Sequence, residues 1–212
     1  MGDIEEVRGK LSFIRFEARR CIHSRHCVLD RPDVFVPNVE GEWIHPDAAT
    51  PDELAALARS CPSGAIQHER LDGGPPDAAP LVNVLRVREN GPLAVNADLT
   101  LVGHGATRRA TLCRCGASAN KPYCDNSHVA AGFTASGEPA TQPSTPLAQR
   151  NGALKITPLK NGPLLVDGNL ELCSGTGRTI NRATKTALCR CGQSANKPYC
   201  DGTHAKVGFT AE

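Results

Sequence analysis

Three stretches of the chain alternate apolar and polar residues with the two-residue period of a strand. One is KLSFIRFEA, Lys10–Ala18. The others are LVNVLRV, Leu81–Val87, and ALKITPL, Ala153–Leu159, each running on into an Asn-Gly turn at Asn90 or Asn161. PLAVNADLTLVG from Pro92 and PLLVDGNLELC from Pro163 read as further strands. The pattern changes at Thr50: an N-cap, Pro51 at the first helical position and acids Asp52 and Glu53 in the first turn. ELAALARSC then places Leu54, Leu57 and Ala58 on one face of a short helix. GAIQHERL, after Cys61-Pro62, is again a strand. The N-terminal order is strand, cysteine-bearing loop, helix, cysteine, strand.

Two stretches break the periodicity and read as linkers: Asp72–Pro80, DGGPPDAAP, and Ser136–Arg150, SGEPATQPSTPLAQR. The segments beyond the first linker are an internal repeat. NGPL at Asn90 recurs at Asn161, an offset of 71, and Cys113 recurs at Cys189, an offset of 76. The second copy therefore holds five extra residues near CSGTGRTINR, and GFTA closes both copies. One copy carries too little apolar surface to fold alone. Two copies that pair or exchange strands can share one core, as an internal pseudo-dimer within a monomer.

Only 4% of the residues are aromatic, so these small segments need staples, and ten cysteines are available to supply them. A net charge of +2 gives no nucleic-acid footprint. The first twenty residues are charged throughout, with Asp3, Glu5, Glu6 and Glu17, and fit neither a secretory signal nor a membrane anchor. The expected location is the reducing cytoplasm, where cysteines serve metals more often than disulfides.

The cysteines concentrate in CRCGASANKPYCDNSH, Cys113–His128, and CRCGQSANKPYCDGTH, Cys189–His204. Both read C-x-C-x8-C-x3-H, a density of soft and borderline ligands that marks a metal site. The candidate ligands are Cys113, Cys115, Cys124 and His128 in one copy, and Cys189, Cys191, Cys200 and His204 in the other. Asn126 and Gly202 occupy equivalent positions, and both tolerate a left-handed backbone. Asp125 and Asp201 are placed to hold the loop by hydrogen bonds. A Cys3His zinc knuckle uses the same ligand set, although zinc sites space their cysteines as CxxC more often than CxC.

These residues resemble the CDGSH iron–sulfur family, to which mitoNEET belongs. The second copy matches the family pattern through Cys189, Cys191, Ser194, Pro198, Cys200, Asp201, Gly202, Thr203 and His204. The first matches through Cys113, Cys115, Ser118, Pro122, Cys124, Asp125, Ser127 and His128, and departs only at Asn126. The resemblance implies a 2Fe–2S cluster in each copy, the CxC pair on the inner iron and the Cys–His pair on the outer one. It also implies a β-rich pseudo-dimer. A neutral imidazole in place of a thiolate makes such a cluster easier to reduce, and the other ring nitrogen can couple reduction to pH. The same corner is where a cluster can be released.

Cys21, Cys27 and Cys61 stand apart, in CIHSRHC and CPSGAI, with Ser24 where a bacterial ferredoxin run has its middle cysteine. This segment resembles the single-cluster 3Fe–4S ferredoxins and the divergent mono-cluster ferredoxin family, through Cys21, Cys27, Arg31–Phe35, Cys61, Pro62 and Ala65. The resemblance implies a 3Fe–4S cluster on three thiolates, or a 4Fe–4S cluster with His23, His26 or water as the fourth ligand. His23 is the better placed of the two histidines. Trp43 is expected in the core beneath this loop, Cys173 as a packed thiol, His104 in a turn, and His45 and His68 at the surface. Lys121 and Lys197 are expected near the outer iron or in solvent.

The resulting expectation is an α+β protein. A small ferredoxin-like βαβ domain occupies residues 1–75, and CDGSH units occupy 76–136 and 151–212, pairing as one pseudo-dimer. No nucleotide-binding fingerprint, P-loop, nucleophile elbow or HExxH helix is present, so the chain is not read as an enzyme. The expected function is electron transfer by three clusters to a redox partner protein. Storage or donation of clusters to an apo acceptor, or redox and pH sensing, is the alternative, and a zinc-stapled binding module a weaker one. Neither nucleic acid nor membrane is an expected partner.

Overall fold

The computed structural model describes residues 4–212, and the chain divides into two units, Met1–Ala78 and Ala79–Glu212. No described helix is long and apolar enough to cross a membrane. In the first unit β1 (Ile4–Arg8), β2 (Ser12–Glu17) and β3 (Ile66–Arg70) form an antiparallel sheet with β2 in the centre. Between β2 and β3 come the short helix α1 (His26–Asp30) and the longer α2 (Pro51–Ser60). The strand–helix–strand order is present, but β1 precedes it and both pairings are antiparallel, so the sheet is a three-stranded ββαβ arrangement rather than a bare βαβ. β1 was not apparent from the pattern because IEEVR is polar and half exposed.

α2 starts where its caps dictate. The Thr50 hydroxyl accepts from the Glu53 amide, and the Glu53 carboxylate accepts from the Thr50 amide at 2.8 Å. Leu54, Leu57 and Ala58 face inward onto Ile14, Val34, Phe35, Ile44, Ala65 and Ile66. Arg31 fastens the cysteine loop to this core. Its guanidinium bonds Asp33 and the Ala48 carbonyl and pairs with Glu53 at 3.2 Å.

In the second unit each repeat contributes three strands: β4 (Val84–Val87), β5 (Leu93–Leu101) and β6 (Gly105–Leu112), then β7 (Ala153–Pro158), β8 (Leu164–Cys173) and β9 (Thr179–Leu188). Within a repeat all pairings are antiparallel. Between repeats they are parallel and reciprocal: β4 lies along the end of β8, and β7 along the end of β5. Each repeat thus lends its first strand to the other. The side chains that result from this exchange form one core, with Leu85, Leu99, Leu154 and Leu170 among its fully buried members. Burying each such leucine contributes roughly 1.5–3 kcal/mol, which a lone repeat would forgo in part. β6 and β9, rich in Thr, Arg and Ala, were not apparent from alternation, because both are edge strands with partly exposed stretches.

Ser136–Arg150 has no regular structure, yet it is not a free linker. The Gly137 and Ile180 carbonyls accept from the Gly175 and Gln142 amides, each at 2.8 Å, and Glu138 accepts from Thr176. The segment is therefore strapped across the β8–β9 hairpin, and the extra residues of the second repeat form the clasp.

Candidate metal centres

Both CxC loops leave the end of a strand, β6 or β9, and the third cysteine returns beside it. The Cys124 amide donates to the Thr111 carbonyl at 2.9 Å and the Cys113 amide to the Pro122 carbonyl at 2.8 Å; Cys200 with Ala187 and Cys189 with Pro198 repeat this. The Ser118 and Ser194 hydroxyls close the intervening turn on the Tyr123 and Tyr199 carbonyls at 2.7 Å. Lys121–Pro122 and Lys197–Pro198 are both cis. Lys121 and Lys197 are half-buried, and each ammonium is tied back to its own turn, at the Ser118 or Ser194 carbonyl.

The histidines sit on single-turn helices, α3 (Ser127–Ala130) and α4 (Thr203–Lys206). Their N-caps, Asn126 and Gly202, are left-handed at φ 67° and 86°. Asp125 and Asp201 hold the corner. Asp201 accepts from the Ala195 and Thr203 amides at 2.8 and 3.0 Å, and Asp125 does the same with Ala119 and Ser127. The Thr203 bonds, and then Ala195, hold the Asp201 carboxyl far below the usual carboxylate range. A carboxyl depressed in this way stabilises the fold above its unfolded value, about 3.9, and the contribution is lost as pH falls through the folded value. In Asp201→Asn the Ala195 and Thr203 amides should therefore exchange faster than in wild type at neutral pH. The difference should shrink below about pH 4. Equal exchange at neutral pH would refute this role.

The ligating atoms come in pairs. Cys113 and Cys115 sulfurs are 3.7 Å apart, as are those of Cys189 and Cys191. Cys124 Sγ is 3.5 Å from His128 Nδ1, and Cys200 Sγ is 3.4 Å from His204 Nδ1. Two sulfurs bound at about 2.3 Å to one tetrahedral metal stand about 3.7 Å apart, and a sulfur and an imidazole nitrogen about 3.5 Å. Each pair thus has the spacing that two ligands of one tetrahedral metal would take, with Nδ1 the imidazole nitrogen nearest the sulfur. Among the described residues, no three Cys, His, Asp or Glu side chains are gathered as ligands of one ion. The first cysteine of each motif is the most buried, Cys113 and Cys189 each at 1% exposed, while Cys115, Cys200, His128 and His204 are half-buried.

Amides also point at the sulfurs, from Ala117 to Cys115, Asn126 to Cys124, Gln193 to Cys191 and Gly202 to Cys200, at 3.4–3.5 Å. Such bonds favour thiolate over thiol. Burial opposes them and pushes Cys124 up to about 11 and Cys191 upward. In the Cys113–Cys115 pair the hydrogen bond between the sulfurs raises Cys113 and holds Cys115 down to about 6, so Cys115 gives up its proton first. Thiols raised by burial bind a metal only by losing protons.

In the first unit Cys21, Cys27 and Cys61 line one cavity of about 460 Å³ together with Trp43, His23 and His26. Burial raises the Cys21 and Cys27 thiols, and Cys61 adds to both shifts. His23 is exposed, left-handed at φ 53°, and its amide donates to Cys21 Sγ at 3.4 Å. Trp43 is half-buried and packs against the core beneath the cysteine loop, as expected. It packs edge-on to Phe16 at 5.0 Å and donates to Glu5 at 2.6 Å. Cys173 is buried, His68 bonds Ser12 at 3.0 Å, and the turn residue His104 meets the Tyr123 ring at 5.4 Å.

Residues 90–129 and 161–205 each match the family described as iron-binding zinc finger CDGSH type. Residues 7–70 match the family described as divergent 4Fe-4S mono-cluster. No curated protein and no solved structure matches the chain. The chain is therefore an iron–sulfur protein in which a domain of the divergent mono-cluster family is fused to two segments of the CDGSH family.

Proposed function

We propose that the chain is an electron-transfer protein holding two 2Fe–2S clusters, each on three cysteines and one histidine, and one 3Fe–4S or 4Fe–4S cluster on Cys21, Cys27 and Cys61. The observation that carries this reading is the pairing of ligands. A Cys–Cys edge of 3.7 Å and a Cys–His edge of 3.4–3.5 Å supply two protein ligands to each of two metals. The two remaining positions on each metal then suit bridging sulfides. A single zinc ion would instead need all four ligands around one point. When bound, each cluster supplies a one-electron couple.

The chain's own residues fit that task. Cys113, Cys189 and Cys191 are buried, and His128 and His204 are partly exposed, where a partner protein can approach. Three centres on one chain, in a reducing compartment, accept electrons from one redox partner and pass them to another. The outward Cys–His corner also supports a second reading, donation of a whole cluster to an apo acceptor. Repeated reduction by dithionite and reoxidation by cytochrome c separates the two. Electron transfer predicts that the oxidised visible spectrum returns without loss of iron. Movement of iron and sulfide to an apo-ferredoxin, faster as pH falls, would favour donation instead.

A further inference from the structure

The cavity that gathers Cys21, Cys27 and Cys61 is also lined by three serines, Ser24, Ser60 and Ser63. Ser24 is exposed. The Ser60 hydroxyl donates to the Leu57 carbonyl at 2.7 Å, so its one proton is committed within α2. Ser63 differs from both. It is 2% exposed, and its Oγ stands 3.6 Å from the sulfur of Cys61, itself buried. A hydroxyl so deeply buried has its hydrogen bonds met inside the protein.

The direction of this contact follows from what each group can offer. A hydroxyl has one proton to give and two lone pairs to receive with. The Ala65 amide donates to Ser63 Oγ at 3.3 Å, which uses a lone pair and leaves the proton. A cysteine sulfur bound to iron has lost its proton and can only accept. With a cluster in place, Ser63 donates and Cys61 accepts. The surrounding turn holds the hydroxyl there. Gly64, left-handed at φ 66°, donates its amide to the Cys61 carbonyl at 3.3 Å, and the buried Arg20 donates to the Ser63 carbonyl at 3.3 Å. Arg20 in turn pairs with Glu17 at 3.6 Å.

We infer that Ser63 sets the potential of the N-terminal cluster through an O–H···S bond to Cys61. This rests on the reading that Cys21, Cys27 and Cys61 hold a cluster. The sulfurs of Cys115, Cys124, Cys191 and Cys200 receive backbone amides. Cys61 receives a side-chain hydroxyl, which one substitution removes. Hydrogen bonds to the sulfurs are among the factors that set a cluster's potential. On reduction one electron enters the cluster, the proton stays on the Ser63 oxygen, and the added negative charge strengthens the bond. The reduced form therefore gains more from Ser63 than the oxidised form. Ser63 is a positioning residue. A cubane takes one cysteine per iron, so an oxygen this close to Cys61 is a partner of that sulfur and not the ligand of another corner.

The test is a redox titration of the full chain, followed by paramagnetic resonance, with the clusters of the second unit as internal standard. Ser63→Ala should shift the reduction equilibrium of the N-terminal cluster about tenfold toward the oxidised form, about 59 mV for one electron. Ser63→Thr, which keeps the hydroxyl, should stay within about threefold of wild type. A potential in Ser63→Ala equal to or above that of wild type, or equal to that of Ser63→Thr, would overturn the inference.

If Ser63→Ala holds no N-terminal cluster, the wild-type chain labelled with 15N decides. Magnetic resonance of its paramagnetic N-terminal cluster should show an exchangeable, hyperfine-shifted proton that is bound to no 15N and has an Overhauser contact to the Cys61 β-protons. Its absence would overturn the inference. A wild-type chain whose iron and sulfide fit only the two CDGSH sites would overturn the cluster reading itself, which is a different result from a loaded cluster that ignores Ser63.

Discussion

Replacing His204 by Cys should lower the potential of the second repeat's cluster by roughly 100–200 mV, on the scale by which histidine ligation raises cluster potentials. The geometry gives the reason. His204 presents Nδ1 at 3.4 Å from Cys200 Sγ, so a thiolate at this position takes over the same metal corner. It replaces a neutral donor with a negative one, and the reduced state then carries the added charge. His128→Cys should move the first cluster the same way, since His128 Nδ1 stands 3.5 Å from Cys124 Sγ. A titration followed by paramagnetic resonance measures both. A potential equal to or above that of wild type in either variant would show that the histidine is not a ligand.

The largest stability effect should come from Gly192→Ala. The residue is left-handed at φ 80°, which costs an ordinary side chain about 1–2 kcal/mol. The new Cβ would also stand 2.3 Å from the Cys115 oxygen and 2.8 Å from its carbonyl carbon, and backbone cannot step aside as a flexible side chain can. Overpacking of this kind adds about 1–3 kcal/mol, for a total of about 2–5 kcal/mol. Gly202→Ala is the control. It too is left-handed, at φ 86°, but nothing lies within 4 Å of its Cβ, so only the conformational cost of about 1–2 kcal/mol remains. Because the clash falls on Cys115, Gly192→Ala should also impair iron loading in the first repeat. Thermal unfolding and iron content of the two variants would decide it, and equal destabilisation would remove the argument for loop-to-loop contact.

The chemistry-bearing residues were legible because metal ligands must recur in type and spacing. The doubled C-x-C-x8-C-x3-H pattern and the Asn126/Gly202 equivalence both reflect local backbone demands. The α2 caps and the strands at β2, β4, β5, β7 and β8 were legible for the same reason: cap chemistry and alternation are local signals. β1, β6 and β9 were not, since strands lying partly on exposed edges need no strict alternation. Ser136–Arg150 read as a linker by its Pro and Ser content, yet several of its hydrogen bonds are made to residues about forty positions onward. The burial of Arg114 and Arg190 was equally out of reach. Charge in a loop motif ordinarily implies solvent, and only the fold brings the carbonyls that receive these guanidiniums.

The parallel β4–β8 and β5–β7 pairings tie this together. They fuse two segments, each too small for its own core, into one body and bring the two CxC loops back to back. The CxC loops are thereby held against each other at Gly116 and Gly192.

The most direct test of the account is the iron, zinc and acid-labile sulfide content of anaerobically purified protein. It predicts sulfide together with about seven irons per chain, from two 2Fe–2S clusters and one 3Fe–4S cluster, or about eight if the N-terminal cluster is 4Fe–4S. Stoichiometric zinc without sulfide would contradict it, and would make the paired ligands a structural staple rather than redox centres.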